Sequence, residues 1–447
     1  MQSGRNLKFI CKYATVFLAV ILLSGFISHA QSSGPNIIYI MADDLGYADL
    51  SCYGKKEYQT PYIDGLAAGG MKFINAYAAA PVCTPTRTSF MTGRYPARTP
   101  VGLREPLDWK QADSLVGLTP QYPSIASILQ IAGYETLLVG KWHLGFSPGF
   151  NPNRNGFDYF FGHHGGGVDY FSHLSPNKEN DLYENDMSIH REGYMTDILK
   201  DKAIELIRKK HDKPFFMALM FNAPHWPWQS PGDPPYPDTM DWKKGGSPKT
   251  YAAMIKSLDD AVGKIVEVLT EEHLEKNTMI IFTSDNGGEK YSDMGPFQGK
   301  KQTLWEGGIR VPAIMYWPGK IKAGTVSSQA VITMDWTSTI LSVAGATLPG
   351  KVQSDGINIL PFAQGKKSMV SRTFYWRQFQ RFNQKAIRDG NWKYMQDEEG
   401  AEYLFDLGKD PAEKNNLKTS NASIFTRLKK KYAEWESIML PPVPLNK

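Results

Sequence analysis

Along this chain, short continuous apolar runs alternate with stretches whose apolar residues recur every three to four positions. Residues 36–41 (NIIYIM), 135–139, 214–221 and 279–283 are apolar without alternation, the pattern of strands buried on both faces. Between them, residues 122–132, 194–210 and 251–270 have helical spacing. Strand–helix alternation over residues 31–350 predicts an α/β domain, its large, mostly parallel sheet sandwiched by helices. Around 345–367 the texture shifts to Gly, Pro and Lys. Short strands at 373–378, 385–388 and 392–396, with a turn at Asp389-Gly390 and a helix near 423–438, then predict a small C-terminal antiparallel α+β subdomain over 351–447. The stretch 223–248, rich in Pro, Gly and Trp, predicts a long ordered loop.

The first thirty residues differ in character. Arg5, Lys8 and Lys12 precede an apolar run from Ala14 to Ile27, and Ser28-His29-Ala30 offers small residues where a signal peptidase reads. The run is short for a membrane anchor, and no lipid-accepting cysteine follows it, so 1–30 is expected to be a cleaved signal peptide of an exported, periplasmic or secreted protein. The segment holds three basic residues and no acid, so its removal takes the formal net charge from +5 to +2. Neither that charge nor any basic run points to a nucleic-acid partner. Cys11 leaves with the leader, and Cys52 and Cys83 remain, a disulfide by default in an exported chain unless one has other work.

Ligands of parallel sheets gather beyond the carboxyl ends of the strands. There this chain places Asp43-Asp44, Lys141-Trp142-His143, His225 and Asp285-Asn286-Gly287-Gly288. Any one of these fits an exposed loop or a helix cap; four together point to a site. Asp43, Asp44, Asp285 and Asn286 form an all-oxygen set suited to Ca²⁺, less well to Mg²⁺, and not to zinc. A second element is Cys83-Thr84-Pro85-Thr86-Arg87, followed by Thr92-Gly93-Arg94. Pro85 suits a first helical turn, which would place Cys83 at a positive helix N-terminus with Arg87 on the same face.

Cys83-x-Pro85-x-Arg87 with Thr92-Gly93 resembles the maturation motif of type I, formylglycine-dependent sulfatases of the alkaline phosphatase superfamily. Asp43-Asp44-Leu45-Gly46, Gly140 to Gly145, Pro224-His225, Asp285-Asn286-Gly287 and Lys301 to Pro312 match in the family's order. The resemblance implies an alkaline phosphatase-like fold, oxidation of Cys83 to formylglycine by a maturation enzyme, and Cys83 as a further metal ligand. It implies that one hydroxyl of the aldehyde hydrate, deprotonated with help from Asp285, attacks sulfur, and that the other loses its proton to His143. Arg87 would steady the hydrate; Lys141, His225 and Lys301 would hold the sulfate oxygens, and His225 or Lys301 would protonate the leaving oxygen. Family spacing favours Lys301 over Lys300.

For the alcohol portion, export, the Pro-rich loop 223–248 and the basic, Trp-containing segment 375–381 favour a sulfated carbohydrate; that loop and segment are expected to set substrate choice, with Trp226-Pro227-Trp228 either stacking sugars or packing the loop. Arg377 and Arg381 are the expected substrate-binding residues beyond the sulfate pocket, with Trp376 either stacking a sugar or packing between domains. The rival readings are a phosphate or phosphonate monoester hydrolase on the same scaffold and a non-catalytic glycan-binding protein.

Overall fold

Every residue of the strand Asn36–Ala42 is buried, and its side chains divide by parity. Ile38, Ile40 and Ala42 enter one apolar cluster, and Ile37, Tyr39 and Met41 enter another. A strand apolar on both faces must lie between two covering layers. The computed structural model, which describes residues 34–108, 115–236, 241–350, 352–380 and 382–443, has that arrangement. Helices Met195–Arg208 and Pro248–Glu271 supply one layer. Helices Ile125–Ile131, Cys83–Thr92 and Thr333–Val343 supply the other.

Asn36–Ala42 pairs in parallel with Phe215–Met220 on one side and Thr278–Ser284 on the other. Glu135–Lys141 continues the parallel set between Phe215–Met220 and Tyr159–His163. Among the described residues the sheet has ten strands. Beyond Thr278–Ser284 it turns antiparallel through Ala313–Tyr316, a strand the sequence pattern did not suggest because that run lies between two prolines, and continues through Met71–Phe73 to Thr325–Ser327. The signal-peptide reading of residues 1–30 falls outside the described residues, among which no helix is long and apolar enough to cross a membrane. Cys52 and Cys83 are both free.

The smaller sheet runs antiparallel through Thr373–Gln378, Gln384–Asp389, Trp392–Gln396 and Glu402–Asp406. The last strand, EYLFD, lacks clear alternation and was not anticipated. Helix Ala422–Glu436 packs on this sheet through Leu428, Tyr432 and Trp435. Phe374, Trp376, Ile387 and Leu404 share a core with Tyr77, Leu304 and Ile309. The indole of Trp376 donates to the Ala78 carbonyl at 2.8 Å, so this tryptophan packs the junction and is not a sugar platform.

Candidate active site

Four parallel strands end in functional groups because each chain turns as it leaves the sheet. Asp44, directly after Asn36–Ala42, has φ 62°, and His143, just past Glu135–Lys141, has φ 54°. Within a strand, neighbouring side chains face opposite ways. The left-handed turn at Asp44 lets Asp43 and Asp44 converge, as the turn at His143 does for Lys141 and His143. Gly287 allows the last strand's loop to close on the segment carrying Lys301. A Cβ there would meet the Gly307 carbonyl oxygen at 1.9 Å, and the Gly287 amide donates to the Gly308 carbonyl at 2.9 Å.

Cys83 begins the helix Cys83–Thr92, preceded by an extended Val82, and Pro85 falls in its first turn, as the sequence predicts. One turn on, Arg87 is buried. Its Nε and Nη2 donate to Asp285 Oδ2 at 3.2 and 2.9 Å, and its Nη1 donates to the Lys141 carbonyl at 3.2 Å. Lys141 Nζ donates to Asp43 Oδ2 at 2.5 Å and to the Gly166 carbonyl at 2.7 Å. Lys301 Nζ donates to Asp44 Oδ2 at 2.7 Å, whereas Lys300 is exposed.

These contacts govern charge. Burial, reinforced by Asp285, pushes the Asp43 carboxyl well above the ordinary range, against Lys141 and Arg87. Burial raises Asp44 to about 6, with Lys301 opposing. At Asp285 burial also acts upward, but Arg87 and Lys141 outweigh it and hold that carboxyl low. Burial lifts the Cys83 thiol to about 12 although Lys141 and Lys301 pull it down. Unmodified Cys83 is therefore a protonated thiol at neutral pH, a poor nucleophile. Burial and the neighbouring cations hold His143 and His225 well below the usual imidazole value, so both are neutral. His143 Nε2 lies 3.1 Å from the Leu107 carbonyl, and Nδ1 has no partner among the described residues. With the proton on Nε2, Nδ1 offers a free lone pair. At His225 the order reverses: Nδ1 contacts the Trp226 carbonyl at 2.6 Å, and Nε2 lies 3.6 Å from Asp44 Oδ2.

The expected metal ligands converge, with one difference in emphasis. Donor atoms of Asp43, Asp44, Cys83 and His225 all lie within 4.8 Å of one another. Asp285 stands beside this group, turned to Arg87 through Oδ2 and accepting the Asp44 amide through Oδ1 at 3.2 Å. Asn286 Nδ2 donates to Asp44 Oδ1 at 2.8 Å, while its Oδ1 is buried without a partner among the described residues. A buried, unpaired amide oxygen next to desolvated carboxylates suits a divalent cation. The set fits the metal site the fold implies.

Cys83, His143, His225 and Lys301 open into a cavity of about 500 Å³. Its other walls include Leu107, Gly166, Gly167, Trp226, Trp242 and Glu289, most of which the sequence reading did not single out. The signal for one wall was present in His163-His164-Gly165-Gly166-Gly167, a glycine run directly after a strand. Arg377 does not line this cavity. Along its strand Trp376 turns into the core, and Arg377 turns the other way, donating to the Leu440 carbonyl at 2.9 Å in a small recess with Tyr95, Glu105 and Trp435. Arg381 lies outside the described residues.

The sulfatase family model matches residues 35–346, and a model described as N-sulphoglucosamine sulphohydrolase, C-terminal, matches residues 295–437. Human N-acetylgalactosamine-6-sulfatase is 33% identical over 376 residues, covering 77% of this chain and 68% of that protein. Mouse arylsulfatase J is 34% identical over 343 residues, covering 74% of this chain and 56% of that protein. The crystal structure of Ps i-CgsB in complex with k-i-k-neocarrahexaose superposes with TM-score 0.80 at 32% identity, covering 93% of this chain and 95% of that one. Because the first model takes in the strand ends that build the cavity floor, and these likenesses run across both sheets, the chain belongs to the sulfatase family and is a sulfuric ester hydrolase.

Proposed function

We propose that this sulfatase acts on a sulfated carbohydrate, through a formylglycine made from Cys83 and beside a Ca²⁺ ion. The observation that carries the reading is the position of Cys83. It is a buried, protonated thiol at a helix N-terminus, at the foot of a cavity shared with Lys301, His143 and His225. Oxidation to an aldehyde hydrate would replace that inert thiol with two hydroxyls on one carbon, one to attack sulfur and one whose deprotonation expels sulfate. Asp43, Asp44, Asp285 and Asn286, with position 83, would hold the ion, which when bound supplies positive charge for the anionic centre.

The protein's own groups would do the rest. Lys301, which lines the cavity, and Lys141, buried behind it against Asp43, would hold the sulfate oxygens, where charge spreads in the transition state. His143 Nδ1 is the base that takes the second hydroxyl proton. Arg87 fixes Asp285 from behind. His225 Nε2 carries a lone pair while Nδ1 donates to Trp226, so His225 binds sulfate only after protonation, and Lys301 is the donor to the leaving alkoxide. For the carbohydrate, the support is the likeness to N-acetylgalactosamine-6-sulfatases and to a protein crystallised with a neocarrahexaose. Residues 1–30 would direct export to the periplasm or beyond, where such polymers are met, and a maturation enzyme would act on Cys83 before or during export.

A mass spectrum of the peptide containing Cys83, paired with rates on matched sulfate and phosphate esters, tests this. The expected result is an aldehyde at position 83 and preference for the sulfate ester. A free thiol in fully active protein, or preference for the phosphate ester, refutes it.

A further inference from the structure

Sulfate recognition uses only the floor of the cavity, yet its volume of about 500 Å³ matches sites for whole ligands, roughly 300–1,000 Å³. One wall above the floor is built by the loop that follows His225. Trp226 and Trp242 meet edge to face, ring centres 6.2 Å apart. The Lys243 ammonium lies 5.0 Å from the Trp226 ring centre. All three residues line the cavity, and Lys243 is exposed. The wall is braced. Asp169, on the strand-following loop opposite, accepts from Gln229 Nε2 and the Tyr236 amide, each at 2.9 Å, and Tyr236 donates its hydroxyl to the Trp228 carbonyl at 2.9 Å.

Resting on the sulfated-carbohydrate reading, we propose that Trp226, Trp242 and Lys243 form a subsite for the sugar ring next to the one bearing the scissile sulfate. That ring carries a negative group of its own, a sulfate or a carboxylate. With Trp226 already packed against His225, ring centres 4.3 Å apart, and under Lys243, the Trp242 indole is the flat apolar surface for the C–H face of a pyranose, and the lysine amine beside it answers an anion. Three of the acids lining the cavity, Asp169, Asp241 and Glu289, have other partners. Asp169 is saturated, accepting also from the Phe171 and Ser172 amides. Asp241 accepts the Lys243 amide at 3.1 Å through one oxygen and faces the Lys244 ammonium at 3.6 Å through the other. Glu289 acts on Lys301 and Asp44 at the floor.

The test uses matured protein and defined disaccharides with one scissile sulfate, the neighbouring ring bearing a hydroxyl, a sulfate or a carboxylate. Wild type is expected to favour a charged neighbour in kcat/KM by about threefold or more, the scale of one partly exposed ion pair. The sulfate and carboxylate arms show which anion is preferred. Lys243→Met keeps the stem over Trp226 and should bring that ratio to about one, and raising salt should shrink it in wild type only. Trp242→Ala should lower kcat/KM on the disaccharides by roughly tenfold more than on a small aryl sulfate. Equal wild-type rates on neutral and charged disaccharides, or a ratio that survives Lys243→Met, overturns the subsite. Hydrolysis of the aryl sulfate with none of the saccharides would instead overturn the carbohydrate reading on which the subsite rests.

Discussion

Lys393→Met should destabilise the protein more than a loss of packing would, and by an amount that depends on pH. Lys393 is wholly buried in the small sheet and donates to Glu306 Oε1 at 3.0 Å and to the Leu304 carbonyl at 2.8 Å, with Glu413 Oε1 at 2.7 Å. Methionine keeps most of the volume and leaves two buried carboxylates without their shared cation. Breaking a buried pair on one side costs ~3–5 kcal/mol. Glu306 keeps Arg310, at 3.3 Å; burial raises its carboxyl, but Lys393, Arg310 and Arg388 together outweigh that and hold it low. Glu413 is different, because burial lifts it to about 7 even with Lys393 present. A carboxyl raised in the folded state contributes stability that is complete below its unfolded pKa and lost as pH rises through the folded value. Without Lys393 the Glu413 value climbs further. At pH 5 Glu413 is protonated in both proteins and adds little to the difference; at pH 8 the variant must either bury its charge or hold a costly proton. Urea unfolding at the two pH values should give a loss of about 4 kcal/mol at pH 8 and roughly half that at pH 5. Equal losses at both, or a loss under about 1 kcal/mol at pH 8, would refute the charge accounting.

Cys83→Ala should reduce turnover of any sulfate ester at least ~10³-fold with unchanged far-UV circular dichroism, since the thiol makes one long contact, 3.7 Å to Asp43. Metal analysis of active protein should find about one Ca²⁺ per chain, and Asp43→Ala should abolish both binding and turnover; zinc in its place would contradict the oxygen-ligand assignment. His143→Ala should release about one equivalent of alcohol per enzyme in a rapid-quench burst and then turn over slowly, as expected when the second proton transfer loses its base; a proportionate loss with no burst would reassign that base. Arg377→Ala should lower stability by ~1 kcal/mol, one hydrogen bond to the Leu440 carbonyl, and change kcat/KM equally for glycan and aryl substrates in parallel assays.

Much of the cavity floor was legible in the sequence because its residues are fixed by topology. A parallel strand buried on both faces leaves the sheet at one edge, and whatever follows it arrives there. Asp43, Lys141, His225 and Asp285 need only that rule, and the helix beginning at Cys83 needs only Pro85 and the spacing to Arg87. The rim does not follow from such a rule. Trp242 and Lys243 reach the cavity through a loop whose course depends on Asp169, sixty residues earlier than Gln229, and no periodicity encodes that brace. The substrate role expected of Arg377 rested on composition, Trp and Arg in a short span. Strand alternation turned Trp376 to the junction with Tyr77 and Arg377 to the Leu440 carbonyl, a consequence that follows from period-two geometry once the strand is placed.

The two left-handed residues at the strand ends show how the fold and the chemistry constrain each other. A non-glycine residue at positive φ is disfavoured by roughly 1–2 kcal/mol, yet Asp44 and His143 both adopt it. Glycine would relieve the strain at either position, but it would remove the proposed metal ligand at one and the proposed base at the other. The surroundings hold both turns. The Asp44 amide is tied to Asp285 Oδ1, and its carboxylate is held between Lys301 and Asn286. The His143 amide donates to the His164 carbonyl, and its own carbonyl accepts from Thr84. Each turn is therefore fastened by a different strand's loop, so the groups that fix Asp44 and His143 are the same loops that close the cavity floor. A strained conformation persists where its neighbours over-determine it, and here that over-determination comes from the site itself.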